Sequence, residues 1–334
     1  MSMTTKTAGS LMAAESAQAM DVFCTAAAQV VDASALKGVK AIYTVARGSS
    51  DAAANILSYE MMRELGVPVT SLPPSVFSLG KGVNMNGTAA LVISQSGASD
   101  DLVRSAKGAA AQGAQVVAIT NQSGSNVEAA AQLHLPIGAG PELAVPATKT
   151  VIGSVAAGMA LLAALVPDYG VRTSKSIAAL RGVDPRHPRA AALQAALLRA
   201  RHVYVIGRDT GYGAAHEIAL KLKECCALHA EPYSASEVLH GPLQLATNPL
   251  MVLILDTGAA HIQDSLDQAE ARFRAIGCDV HRVSPADIGA IHLTPASAAA
   301  LLLAMMYPVI LNTALALGLD PDAPETLSKV TQTT

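Results

Sequence analysis

The sequence predicts an α/β protein built from two similar units, each a mostly parallel sheet flanked by helices. Three observations carry this. Apolar strand-like runs end in Gly- and Ser-rich turns and then pass into Ala-rich helical patterns. That alternation occurs twice in matched register: Arg47 and Gly97 of the first half answer to Arg208 and Gly258 of the second, with the same spacing between the two anchors in each half. Finally, 334 residues with 51% hydrophobic and 15% charged side chains are enough for two well-filled cores and exclude disorder.

The elements follow in order. Residues 1–35 read as a helical arm, with Leu11, Met12, Ala19, Met20, Val22 and Phe23 on its apolar side. The first unit, 36–183, opens with a strand, Ala41 to Ala46, that runs into Arg47-Gly48-Ser49-Ser50 and then the helical Ala52-Ala53-Ala54. A second strand, Ala89 to Ile93, enters Ser94-Gln95-Ser96-Gly97-Ala98-Ser99, and Ser99 or Asp100 is placed to cap the helix that follows. A third strand is expected at Gln115 to Thr120. Asp184-Pro185-Arg186-His187-Pro188 marks a linker over 184–190. The second unit, 191–320, repeats the scheme with Val203 to Ile206 before Gly207-Arg208-Asp209-Thr210-Gly211, Met251 to Leu255 before Thr257-Gly258-Ala259, and a further strand at Asp279 to Val283. Residues 321–334 form a tail.

Several classes of function are excluded by composition. The net charge is -3 and no Lys/Arg run stands out, so nucleic acid is not an expected partner. Cys24, Cys225, Cys226 and Cys278 lack metal-ligand spacing and read as buried free thiols. With no signal-peptide pattern at Met1 to Thr7, they point to the cytoplasm. Val151 to Val166 is too short to span a bilayer; Ala298 to Leu319 is long enough, but Pro308 and Asn312 interrupt it, so a buried helix is expected and no membrane association. His134 and His202 read as structural, and Asp256 as a cap.

The chemistry is expected where the turns converge. In parallel sheets, ligands sit beyond the carboxyl ends of strands, where strand order reverses. Hydroxyls from Ser49, Ser50, Ser94, Ser96 and Ser99, a backbone freed by Gly48 and Gly97, and the N–H groups of two helix starts suit a phosphate. No Lys-Ser/Thr pair follows, so the loop is not a nucleotide P-loop. On the second-half helix, Glu217, Lys221 and Glu224 lie at i, i+4 and i+7, on one face. His240, before Gly241-Pro242, sits in a loop rich in Ser and Glu. A carboxylate, an imidazole and an amine suit proton transfer and ring opening on a phosphorylated sugar. No metal and no cofactor is required.

These stretches, together with Val145 and Thr148-Lys149, His229-Ala230-Glu231, and Pro324 with Leu327 and Lys329, resemble the sugar isomerase (SIS) family. The match runs from about residue 35 to the C-terminus and is closest to the isomerase half of glucosamine-6-phosphate synthase and its stand-alone deaminase relatives. The resemblance implies two flavodoxin-like domains and a phosphosugar substrate held by Ser49, Ser94, Gln95, Ser96 and Ser99. It implies Glu224 as the proton shuttle with Lys221 beside it, His240 as a ring-opening residue reaching in from a neighbouring subunit, and Lys329 at the keto sugar. A homodimer is therefore implied. The chain begins Met1-Ser2-Met3 without a nucleophilic Cys, so ammonia from glutamine is not expected. Arg47, Ala98, Ala147 and Glu325 replace the synthase's Cys, Glu, Ser and Arg. The expected activity is deamination and isomerisation of glucosamine 6-phosphate or a close analogue. A fructosamine-6-phosphate deglycase and a non-catalytic sugar-phosphate sensor are the alternatives.

Overall fold

The computed structural model describes residues 7–329; residues 1–6 of the arm and 330–334 of the tail lie outside the described residues. Helices α1 (Ser10–Ala17) and α2 (Ala19–Ala27) form the arm. The first sheet contains β1 (Ile42–Val45), β2 (Val69–Ser71), β3 (Ala89–Ser94), β4 (Gln115–Thr120) and β5 (Leu133–Pro136) in the order β2-β1-β3-β4-β5, every pairing parallel. Its helices are α3 (Ser49–Leu65), α4 (Ser75–Ser78), α5 (Asp100–Ala111), α6 (Lys149–Leu165) and α7 (Pro167–Leu180). After a coil that includes the Pro-rich stretch come α8 (Ala190–Arg199), β6 (His202–Gly207), α9 (Thr210–Cys226), β7 (His229–Ser234), β8 (Met251–Leu255), α10 (Gln263–Ile276), β9 (Asp279–Val283) and α11 (Pro295–Ala316). The second sheet has the order β7-β6-β8-β9, again all parallel. The predicted α/β architecture with two parallel sheets is therefore the observed one.

Burial explains why these runs are strands of parallel sheets. β3 and β8 are buried at every position, as strands covered on both faces must be. The expected strands at Gln115–Thr120 and Asp279–Val283 form with those bounds. Short β2 (Val69–Ser71) and β5 (Leu133–Pro136), and the polar β7, carried too little periodicity to be foreseen.

One buried apolar cluster runs through both halves, contributed by α2, α3, α6, α9 and α11 among others. α11 is apolar and long enough to cross a membrane by length and composition, yet 83% of its most apolar window is buried inside the molecule, so it is the core helix that was expected. α3 and α9 pack against each other closely enough that a Cβ on Gly213 would lie 2.6 Å from the Ile56 backbone nitrogen. That approach brings the start of α3 to the end of α9. The four cysteines are free thiols; Cys225 and Cys226 are buried, whereas Cys24 and Cys278 are only partly so.

Candidate functional site

The strand order reverses between β1 and β3, and the two serine turns leave the sheet there side by side. Gly48 holds φ 54° and ψ -128°, which L side chains rarely adopt, and a Cβ built on it would meet nothing within 4 Å. The turn therefore opens onto free space. Gly97 has φ 60°, and a Cβ there would come within 2.2 Å of Ser125 Oγ, so glycine is required by both backbone and packing. Ser94 Oγ accepts from the Gly97 N–H (3.1 Å) and Ser96 Oγ from the Ala98 N–H (3.3 Å), which folds the loop back on itself. Arg47 pairs with the buried Asp101 in the first turn of α5 and so ties the two turns together.

The capping expectation needs correction. Ser99 does occupy the N-cap position of α5, but its hydroxyl makes no cap hydrogen bond, and Asp100 is spent on Arg104 instead (2.7 Å). The side chains of Ser50, Gln95 and Ser99 make no hydrogen bond among the described residues. With the N–H groups of Ser49 and of the α5 start, they leave an anion-receptive rim; the N–H groups of Ser50 and Asp51 are already engaged by the Arg47 and Gly48 carbonyls.

The C-terminal half of α9 reaches this rim. Lys221 is completely buried, and its Nζ lies 2.8 Å from Ser49 Oγ, 2.6 Å from Glu224 Oε2 and 3.4 Å from Glu217 Oε1. The helical face read from spacing is thus a single ion cluster, with Lys221 central. Within the cluster only Glu224 retains access, its side chain being 24% exposed. Glu217 is fully buried. It accepts from Tyr307 Oη (3.3 Å) through Oε1, while Oε2 has no partner among the described residues. Burial pushes its pKa up from 4.5 to about 7 against the opposing pull of Lys221. Burial would deprotonate Lys221, but Glu217 and Glu224 outweigh it and raise its pKa. The Tyr307 hydroxyl is pushed well up by burial and by the negative charge of Glu217, Glu142 and Glu224.

A pH prediction follows for stability. Folded Glu217 keeps its proton up to about pH 7, whereas the unfolded residue releases it near the ordinary 4.5. The stabilising proton is fully held below 4.5, and its contribution is lost as pH rises towards 7. Glu60 on α3, also buried and pushed by burial to about 7, acts in the same sense. Urea unfolding of Glu217→Gln should therefore show a shallower decline between pH 5 and pH 8 than the parent, with the remainder assignable to Glu60. Parallel curves for the two proteins would rule Glu217 out as a source.

Lys329 stands beside a different segment. Its Nζ donates to the Ala144 carbonyl (2.6 Å) and lies 3.4 Å from Glu142 Oε2. Glu142 is anchored by the N–H groups of Thr148 and Thr150 and by the Thr150 hydroxyl (3.0, 3.1 and 2.5 Å). The loop is also held from outside, by Glu15 of α1 on the Ala144 N–H (3.2 Å) and by the Asp322 carbonyl on the Val145 N–H (2.9 Å). The tail, the arm and the Val145 loop are therefore one assembly.

His240 is not brought in. It is exposed at the end of a short 3-10 turn, Glu237–Leu239, and its side chain makes no hydrogen bond or ion pair among the described residues. The single chain assembles Ser49, Lys221 and Glu224, holds Lys329 of the tail against the Glu142–Ala144 segment, and leaves His240 outside. Glu142 and Tyr307 were missed from sequence: Glu142 lies in no motif, and Tyr307 is hidden in an apolar run. The structural reading of His134 agrees with its contacts to Thr120 and Glu128, whereas Asp256 caps no helix: it receives the Gly258 N–H within its own turn and pairs with Arg282 (2.9 Å). A cavity of about 670 Å³ at the amino ends of β6 to β9, lined by Arg199, His202, His229 and Leu245, is not this site. The helix N-termini converge at the opposite edge.

Comparison with known proteins agrees with this geometry. The SIS domain model matches residues 11–164 and 196–277. The glutamine--fructose-6-phosphate aminotransferase [isomerizing] of Aeropyrum pernix is 30% identical over 322 residues, which covers 87% of this chain and 51% of that protein. The chain thus spans about half the length of the curated relatives it matches. Among solved structures, a putative phosphosugar isomerase from Silicibacter pomeroyi superposes with TM-score 0.83 at 30% identity, covering 93% of this chain and 99% of that one. Glucosamine-6-phosphate deaminase from Thermotoga maritima gives TM-score 0.77 at 19% identity, over 97% and 100%, a likeness of fold.

Proposed function

The chain belongs to the SIS domain family, and from that premise we propose that it is a phosphosugar enzyme, an amino-sugar-phosphate deaminase/isomerase that converts glucosamine 6-phosphate or a close analogue to fructose 6-phosphate and ammonia. The observation that carries this reading is the Lys221 ammonium, which touches both Ser49 of the anion-receptive turn and the accessible carboxylate of Glu224. A pure sensor needs the turn but has no use for a buried ammonium that fixes a carboxylate beside it.

In this reading the hydroxyls and N–H groups of Gly48, Ser49, Ser50, Ser94, Gln95, Ser96 and Ser99 hold the phosphate and sugar hydroxyls, with the Val145 loop at the edge. Glu224 removes the proton from C2 of the open-chain amino sugar and returns it to C1, while the amine gives up a proton and O1 takes one, so that the C1 aldehyde becomes an alcohol and C2 a ketimine. Water adds to the ketimine and ammonia departs, giving the ketose. Lys221 holds the Glu224 carboxylate in place. Lys329 approaches the keto carbon when it leaves its stand-by contact with Ala144. Ring opening falls to His240 of a second copy, since the residue is exposed and unengaged in its own chain; the working unit is a homodimer.

The test is incubation of the purified protein with glucosamine 6-phosphate, measuring ammonia and fructose 6-phosphate together. Equimolar release of the two is expected. Binding without turnover of any hexosamine 6-phosphate would remove the deaminase reading. Exposed Ala98 on the serine loop favours a second reading, because a small residue there leaves room for a larger amine. A fructosamine 6-phosphate carrying an amino acid, assayed in parallel, tells a deglycase from a deaminase.

A further inference from the structure

The duplication places a second strand–turn–helix crevice opposite the first. In its register Arg208 answers to Arg47, Asp209 to Gly48, Thr210 to Ser49, Lys221 to Glu60 and Glu224 to Arg63. The backbone obeys the same register, since Asp209 has φ 58° and ψ -134°, within a few degrees of Gly48. The packing obeys it too. Ser49 at the start of α3 meets Lys221, itself paired with Glu224, at the end of α9, and Asp209 at the start of α9 meets Arg63 at the end of α3. Only the chemistry differs. Where the first crevice has Lys221 and Glu224, the second has Glu60 and Arg63, with the charges exchanged.

The two turns also differ in what fills them. At Gly48 the Cβ position faces open space. At Asp209 a carboxylate occupies it, pairs with Arg63, accepts from the Thr210 N–H (2.6 Å) and lies 2.8 Å from His261 Nε2. Arg63 in turn bridges to the buried Glu60 (2.9 Å). Thr210 and Thr257, the counterparts of Ser49 and Ser96, are buried, and their hydroxyls have no partner among the described residues. Those are the hydroxyls that would face an anion in a crevice of this design. Burial would raise the Asp209 pKa, but the bonds from His261 and Arg63 outweigh it and hold the carboxyl below its ordinary range, so the plug stays charged.

We propose that the second crevice is an anion site filled by the chain's own Asp209 carboxylate, which Arg63 and His261 hold in the way they would hold an external carboxylate or phosphate. One crevice is thereby reserved for an external ligand. The other becomes an ionic lock between the first and second halves. The proposal takes from the functional reading only the anion-receptive nature of the first crevice, and its test reads stability, so the two can fail separately.

The test is chemical rescue of Asp209→Gly with acetate, which is the excised side chain as a free ion. Glycine accepts this backbone, as Gly48 shows. Thermal unfolding is measured in acetate and in chloride at equal ionic strength. Asp209→Gly should unfold several degrees below the parent in chloride and recover at least half of that loss in acetate, while the parent is indifferent to the exchange. The double variant Arg63→Gln/Asp209→Gly should not recover. Asp209→Asn keeps the volume of the plug without its charge; it should be destabilised and show no acetate response. An acetate response in Asp209→Asn as large as in Asp209→Gly, its persistence without Arg63, or no difference between acetate and chloride would overturn the proposal. Should Asp209→Gly not fold in chloride, the same comparison is made on its refolding yield, and equal yields in the two salts count against the plug.

Discussion

Replacing Glu224 by Gln is expected to lower kcat by about 10²–10⁴-fold while ligand affinity stays within about threefold. Within the α9 cluster only Glu224 is accessible; Lys221 and Glu217 have no exposed surface. A base must reach the proton it removes, so the role falls to Glu224. Gln keeps the size of the side chain and can still accept from Lys221 Nζ, 2.6 Å from the parent oxygen. It cannot carry a proton between two carbons. The phosphate contacts lie on other elements, the α3 start and the β3 loop, so ground-state binding should survive. Measuring kcat by ammonia release, and affinity by titration of fructose 6-phosphate, separates the two effects. An unchanged kcat would remove Glu224 from the chemistry. An equal loss of affinity and rate would make it a binding residue.

The second large effect is on stability. Lys221→Met should cost about 3–5 kcal/mol of unfolding free energy at pH 8, and distinctly less at pH 5. Met fills much the same volume, so the cost is electrostatic. Without the ammonium, buried Glu217 keeps only the Tyr307 hydroxyl as a partner, with its other carboxylate oxygen already lacking one. At pH 5 it can take up a proton and become neutral; at pH 8 it must give up either its charge or its burial. Urea unfolding at both values reads the difference. A cost below about 1 kcal/mol at pH 8, or the same cost at both pH values, would show that Lys221 is not the counter-ion of Glu217. The variant should also be inactive, because Ser49 loses the donor that joins its turn to α9.

The strands Gln115–Thr120 and Asp279–Val283, the serine turn with its glycine, and the matched anchors at Arg47 and Arg208 were legible because strand period and turn chemistry are local properties. So was the shared face of Glu217, Lys221 and Glu224, since helical spacing sets it. By itself, then, the sequence determined a duplicated parallel α/β chain with hydroxyl-rich turns and one charged helix face. Tertiary structure alone decided which turn that face serves. Lys221 meets Ser49 across 172 positions, and Glu15 and Asp322 brace the loop that holds Lys329. It also decided that His240 stands apart and that Asp209 closes the second crevice. The physical reason is that burial and long-range pairing set the charge and reach of an ionisable group, and both arise only when α3 and α9 pack together.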